Sequence, residues 1–301
     1  MKRLSDLGED PLVARLTALL SAGRGVLAGP GDDCAVLAGG RSGQVALLKT
    51  DCLVEGVHFL PGAPAAKVGW KAVARVLSDF AAMGGAADHL LVTLVLPPER
   101  PVRWVEALYR GMDRCAARFG AAIVGGETSS VPAGGTAAIS VAAAGHAARR
   151  RLVLRSGGRP GDLLFVTGRL GGSRAGRHLT FTPRIVESAW LTGRFRVHAM
   201  MDLSDGLAAD LPRLARASGC GFELDERSLP RRRGADLAAA LGDGEDYELL
   251  FAVAPRQRNR LRQSWKRAFP SLPLSCIGTL TRGEPPAPRG GWDHFRRSTR
   301  S

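Results

Sequence analysis

Apolar residues follow two rhythms along this chain, a spacing near 3.6 and short unbroken runs bounded by glycine or proline. The first rhythm predicts a helix over about Pro11–Ala22, with Leu12, Leu16, Leu19 and Leu20 on one face. Val45–Leu48 is an apolar strand that runs into Lys49, Thr50 and Asp51. A helix from about Ala66 to Met83 follows, then a strand over His89–Leu96 closed by Pro97 and Pro98. Pro101 can start the next helix, which runs to Phe119, because its fixed φ suits a first turn. Ala122–Val124 and Thr136–Ala144 are strands on either side of a turn, GGETSSVPAGG. Most of these strands are apolar enough for a covered sheet.

The pattern breaks over residues 145–162, GHAARRRLVLRSGGRPGD, a basic and glycine-rich passage that predicts a domain link. A second α/β series then begins. Strands are expected at Leu163–Thr167, Ala199–Leu203, Phe222–Leu224, Tyr247–Val253 and Leu274–Leu280. Helices are expected at Gly206–Ala217 and Pro255–Phe269, with a glycine-rich loop at 169–178. The fold class is therefore α+β (mixed α/β), with domains at 1–148 and 149–301, and 301 residues are ample for two.

Composition narrows the function classes. With 45% apolar and 23% charged residues the chain has material for real cores and does not resemble a disordered one. It has no apolar run of the roughly 18 residues a membrane span needs, so no membrane partner is expected. The opening MKRLSDLGED turns acidic where a secretory leader would turn apolar, and a cytoplasmic protein is expected. Five scattered cysteines without a CxxC pair fit reduced thiols. The formal net charge is +14, mostly from arginine. The basic clusters lack the interleaved aromatics on which bases stack, so no nucleic-acid partner is expected either.

Against that basic background, carboxylates recur at strand ends and in small-residue turns. They are Asp32 and Asp33 in GPGDDCAVL, Asp51 in KTDCLVEGVHF, Asp79 in LSDFAAMGG, Glu127 in GGETSS, and Asp202 and Asp205 in MDLSDGL. Two readings fit each one. Asp32 and Asp33 can be turn formers, Asp79 a helix-face charge and Asp205 a helix cap. Alternatively, the set can converge on hard divalent cations, which want carboxylate and phosphate oxygens. Ser204 or Asp205 can cap a helix near Gly206, whose N-terminus would favour a phosphate. The loop GRLGGSRAG (168–176) could cradle phosphate too, but it matches no P-loop or dinucleotide fingerprint.

Taken in order, GDDCAVL, TDCLVEGVHF, LSDFAAMGG, VGGET, LRSGGRPGDLLFVTG, MDLSDGL, GDGEDYELLF and GWDHF resemble the motif series of the thiamine-monophosphate kinase family. That family belongs to the superfamily of aminoimidazole-ribonucleotide synthetase and selenophosphate synthetase. The similarity runs from Gly29 to Phe295. GDD and SDG occur across the superfamily, whereas GVHF, GEDYEL and GWDHF point to this branch. The resemblance implies a two-domain aminoimidazole-ribonucleotide-synthetase-like fold, dimerising through the N-terminal sheet into a homodimer. It implies ATP in the cleft with several Mg2+ ions, and transfer of the γ-phosphoryl group to thiamine monophosphate. Asp33, Thr50, Asp51, Asp79, Asp202 and Asp205 match its magnesium positions, with Asp32 beside them and Glu127 keeping a carboxylate there. Gly126, Glu127, Arg151 and Ser204 match ATP contacts; His58, Glu245 and Trp292 match contacts to the thiamine phosphate.

The chemistry agrees. A phosphate nucleophile is ionised near neutral pH, since its second pKa is about 6, so no strong general base is needed. Positioning and charge neutralisation then supply the catalysis. Three departures from the family pattern stand out. Lys49 replaces the usual serine, Glu127 the usual aspartate, and the stretch from Gly176 to Pro183 is short. They leave open a superfamily member with another small phosphorylated acceptor, or an ATP-binding protein with impaired turnover.

Overall fold

The computed structural model describes residues 3–21, 23–39, 41–287 and 290–295. Two short helices, α1 (Leu4–Leu7) and α2 (Glu9–Thr17), precede the strands β1 (Val26–Ala28), β2 (Ala35–Leu37) and β3 (Gln44–Val54). Helix α3 (Ala65–Ala82), β4 (Ala86–Leu96), α4 (Val102–Arg118), β5 (Ala122–Ser130) and β6 (Ala138–Ala148) complete the first half. Strand β7 (Leu163–Thr167), α5 (Ile185–Arg194), β8 (Val197–Asp202), α6 (Leu207–Ala217) and β9 (Gly221–Leu224) open the second. It ends with α7 (Leu237–Gly242), β10 (Leu249–Val253), α8 (Arg258–Ala268) and β11 (Leu274–Thr281).

The first sheet has the order β1-β2-β3-β6-β4-β5 and the second β8-β10-β7-β11-β9. Among the described strands, only β4 and β5 pair in parallel. Strand β3 alternates, with Val45, Leu47 and Leu53 buried and Leu48, Thr50 and Cys52 exposed. One face of the first sheet therefore packs on α3, and the other carries the uncovered apolar residues Leu48, Leu91 and Val124.

Helix α3 is the hinge pin of the architecture. Its small-residue sequence AAKVGWKAVARVLSDFAA is buried on nearly every face. It crosses α4 so closely that a Cβ on Gly69 would stand 2.0 Å from the Leu108 carbonyl oxygen, and one on Gly111 equally close to that of Ala66. Its C-terminal Ala81 and Ala82 enter the core of the second sheet with Phe165, Leu249 and Phe251. A residue near the end of α3 thus faces both halves of the molecule.

Two expectations need correction. The N-terminal helix is shorter than predicted, and Leu16, Leu19 and Leu20 are exposed, so the expected apolar face is uncovered. The segment GGETSS is the strand β5, not a turn. It was unreadable as a strand because it is an edge element exposed along most of its length and lacks apolar alternation. Among the described residues no helix is long and apolar enough to cross a membrane.

Candidate active site

Three buried carboxylates converge where the halves meet. Asp33 comes from the loop before β2, Asp79 from the last turns of α3 and Asp202 from the end of β8. One oxygen of each lies within 4.8 Å of the others. Cationic partners surround them. Lys49 Nζ is 2.9 Å from Asp79 Oδ1, and Arg155 Nη2 is 2.5 Å from Asp33 Oδ1. Ser78 donates its hydroxyl to Asp202 Oδ2 at 2.5 Å. Asp32 turns away to accept the Arg155 backbone N–H at 3.1 Å.

Burial and crowding shift these groups. Asp32 is pushed up to about 6, first by burial and then by the charge of Asp33. Burial raises Asp202 and Asp79 as well; Asp33 adds to the rise in Asp202, and Lys49 opposes the rise in Asp79. The residues fit a hard cation. Three formal negative charges meet two positive ones, and Asp33 Oδ2 is buried without a hydrogen-bond partner among the described residues. An uncompensated buried oxygen is costly, and an all-oxygen donor set suits Mg2+ rather than a thiophilic metal.

The other expected ligands sit around this centre at different removes. Asp51 shares the buried face of β3 with Lys49 and is held by Arg75 Nη2 at 3.0 Å. Thr50 points to the opposite face, its hydroxyl 3.4 Å from that of Ser140. Asp205 is paired with Arg213, which also binds Asp210 and Asp10. The helix cap expected from Ser204 or Asp205 is not made: the N-cap of α6 is Gly206 at φ 101°, and among the described residues no side chain caps it.

Gly126 and Glu127 lie in β5, where a Cβ on Gly126 would stand 2.0 Å from the Val92 carbonyl oxygen. Glu127 pairs with Thr93, on the same uncovered face as Thr50. Strands β6 and β4 separate it from β3, a span of roughly 14 Å at the usual strand spacing. Glu127 is therefore not a neighbour of Lys49 within one chain. Arg151 follows β6, and its guanidinium packs beside Gly193 in α5. The arginine that reaches the carboxylates is Arg155, four residues on, which the sequence did not single out.

A cavity next to the trio collects the remaining expected residues. It is lined by His58, Ser204, Asp205, Glu245 and Trp292, together with Arg75 and Arg174. His58 accepts the Val54 N–H on Nδ1 at 3.0 Å, and its pKa is lowered to about 3 by burial and then by Arg75 and Lys71. It is neutral at physiological pH. Trp292 is anchored by its backbone N–H, which donates to the Asp205 carbonyl at 2.9 Å. Its ring carries the Arg174 guanidinium 4.7 Å above the centroid. The glycine-rich loop does not offer its amides to a phosphate: Gly171 and Gly172 donate them to Asp246 and Asp243.

The two sheets and the carboxylate cluster at their junction define an AIR-synthase-related protein. Family profiles agree, matching the AIR synthase related N-terminal domain over residues 31–147 and the C-terminal domain over 178–285. Within that class the chain belongs to the thiamine-monophosphate kinase family. It is 36% identical over 304 residues to the thiamine-monophosphate kinase of Salmonella typhimurium, covering 91% of this chain and 90% of that one. It is 39% identical over 249 residues to that of Rhodopirellula baltica, covering 77% and 78%. Among solved structures it is similar to AaThiL complexed with AMPPCP and TMP, at 33% identity and a TM-score of 0.84 over 98% of this chain and 99% of that chain. E. coli HypE, at 22% identity and a TM-score of 0.66 over 79% of this chain and 81% of that one, shares the fold.

Proposed function

We propose that the chain transfers the terminal phosphoryl group of ATP to thiamine monophosphate in line, giving thiamine diphosphate and ADP. The observation that carries this is the buried trio Asp33, Asp79 and Asp202 beside a cavity lined by His58, Glu245 and Trp292. Family membership and the likeness to AaThiL, whose complex holds AMPPCP and TMP, support the choice of substrates. The attacking group is a phosphate oxygen, so the site needs no general base. Its task is to hold two polyanions together, which positioned charges do best.

The trio would hold Mg2+, with Asp32, Asp51 and Asp205 as outer carboxylates. Bound there, Mg2+ supplies charge neutralisation to the phosphate oxygens. The chain's own residues do the rest. Arg155 fixes Asp33, Ser78 fixes Asp202, and Arg75 fixes Asp51, so the carboxylates are oriented before any ligand arrives. Trp292 offers an aromatic face to the cationic thiazolium. Ser204, Arg151 and Gly126 are the remaining proposed ATP contacts.

The enzyme is proposed to be a cytosolic homodimer, with domains dividing at residues 148 and 149. The uncovered apolar face of the first sheet, with Leu48, Leu91 and Val124, is where a second copy would pack. Glu127 and Thr50 lie on that face, so any metal or ATP contact of theirs belongs to the assembled dimer.

The Lys49–Asp79 ion pair favours a second reading, an ATP-binding protein with slowed turnover, because an ammonium already occupies one carboxylate. Incubation with ATP, Mg2+ and thiamine monophosphate separates the two. Product formation at rates typical of kinases, about 1–100 per second, supports the first, and ATP binding without thiamine diphosphate supports the second.

A further inference from the structure

Helix α3 presents Lys71, Arg75, Ser78 and Asp79 along one face, at the i, i+4, i+7, i+8 spacing that aligns side chains. Ser78 and Asp79 serve the carboxylate trio, and Arg75 serves Asp51. Lys71 is the exception. It is completely buried and does not line the cavity. Its ammonium forms an ion pair with Glu245 and donates to the His58 carbonyl at 2.6 Å.

A buried lysine is a poor choice for packing alone. Removing an ammonium from water costs several kcal/mol, and a methionine would fill similar volume without that penalty. What the charge does here is hold Glu245, which needs holding. Its φ of 59° lies in the left-handed region, as does that of Tyr247 at 49°. Such a conformation in a non-glycine residue persists only when its surroundings fix it. The turn is pinned on the second-domain side by Glu245 N–H to Ser204 O at 2.6 Å and Tyr247 N–H to Leu203 O at 2.8 Å. Further along, Glu248 is clamped by Arg184 at 2.7 Å and Arg177 at 2.9 Å. Lys71 supplies the pin from the first-domain side, and it attaches to both His58 and Glu245.

We infer that Lys71 is a positioning residue for the acceptor pocket: from behind the cavity wall it sets the Glu245 carboxylate, and with it the affinity for thiamine monophosphate. The inference rests on the proposed function, which places His58 and Glu245 at the acceptor. It also gives α3 a double task, since one rigid helix fixes the acceptor pocket at Lys71 and the carboxylate trio at Asp79, two turns away.

Steady-state kinetics on the full chain test it, with Lys71→Met, Glu245→Gln and the double variant. Lys71→Met is expected to raise KM for thiamine monophosphate by about tenfold or more, while KM for ATP stays within about twofold. The double variant is expected to match Glu245→Gln alone, because Lys71 acts through Glu245. An unchanged KM for thiamine monophosphate, or an equal rise in both KM values, would overturn the inference; so would additive effects in the double variant. If the single Lys71→Met chain does not fold, the double variant, which leaves no buried unpaired carboxylate, decides the matter against Glu245→Gln. A wild-type chain that binds thiamine monophosphate without converting it would sink the kinase reading alone. The same variants are then compared by calorimetric Kd, with the same tenfold expectation. No binding by the wild type overturns both.

Discussion

The ammonium of Lys49 stands 2.9 Å from Oδ1 of Asp79, so Asp79, like Asp33 with Arg155, is already paired before any ligand arrives. A cation entering the cluster meets that positive charge. Lys49→Ser is expected to lower the Mg2+ concentration giving half of the thermal stabilisation by roughly fivefold, the effect of about 1 kcal/mol at a partly screened site. An unchanged or weaker response to Mg2+ would show that Lys49 does not compete with the ion.

The pH response has a defined sign. Asp32 is raised to about 6, and burial raises Asp202 above the ordinary carboxylate range as well. Between pH 3.8 and the folded values of about 6 and about 7, the folded state therefore binds more protons than the unfolded one, and metal-free stability falls as pH rises through that window. Mg2+ needs the ionised carboxylates and releases those protons. Its stabilising effect in thermal unfolding should accordingly be small at pH 5.5 and large at pH 8. A Mg2+ effect independent of pH over that window would mean the ion binds elsewhere.

Trp292 and Arg174 should move substrate affinity in opposite directions. The guanidinium occupies the ring face that the proposed thiazolium would use. Trp292→Ala is expected to raise KM for thiamine monophosphate about two- to fivefold, the usual range for an exposed cation–π contact, and Arg174→Ala to lower it by a similar factor. A rise for Arg174→Ala would assign the guanidinium to the substrate phosphate instead.

Leu91, half exposed in the middle of β4, tests the proposed dimer. Leu91→Glu places a charge on the uncovered face without touching the core. It is expected to convert a dimer to monomer by light scattering, with thermal stability of the folded chain otherwise retained. A wild-type chain that is monomeric at micromolar concentration would remove the dimer from the proposal.

Much of this architecture was legible in the residues. Apolar runs located β7 at Leu163–Thr167 and the body of α3, and the acidic punctuation picked out Asp33, Asp79 and Asp202. What stayed hidden had physical causes. Strand β5 has an exposed edge and no apolar alternation, so its pairing with β4 depends on close backbone approach at Gly126. Arg155, Lys71 and Arg75 were lost among 42 lysines and arginines, and only tertiary contacts distinguish them from surface charge. The glycine-rich loop looked free to bind phosphate because its acceptors, Asp243 and Asp246, lie 71 and 75 residues downstream of the glycines that donate to them. Thr50 and Asp51, adjacent in sequence, face opposite sides of β3, which strand periodicity alone could have told.

The most direct test is phosphorus NMR of purified chain with ATP, Mg2+ and thiamine monophosphate, run beside Asp79→Asn. Thiamine diphosphate and ADP should appear in equal amounts with the wild type. The variant should remain folded and lose activity by about a thousandfold or more, a loss of roughly 4 kcal/mol in transition-state stabilisation. ADP formed without thiamine diphosphate, or an Asp79→Asn chain as active as the wild type, would contradict a carboxylate-centred thiamine-monophosphate kinase.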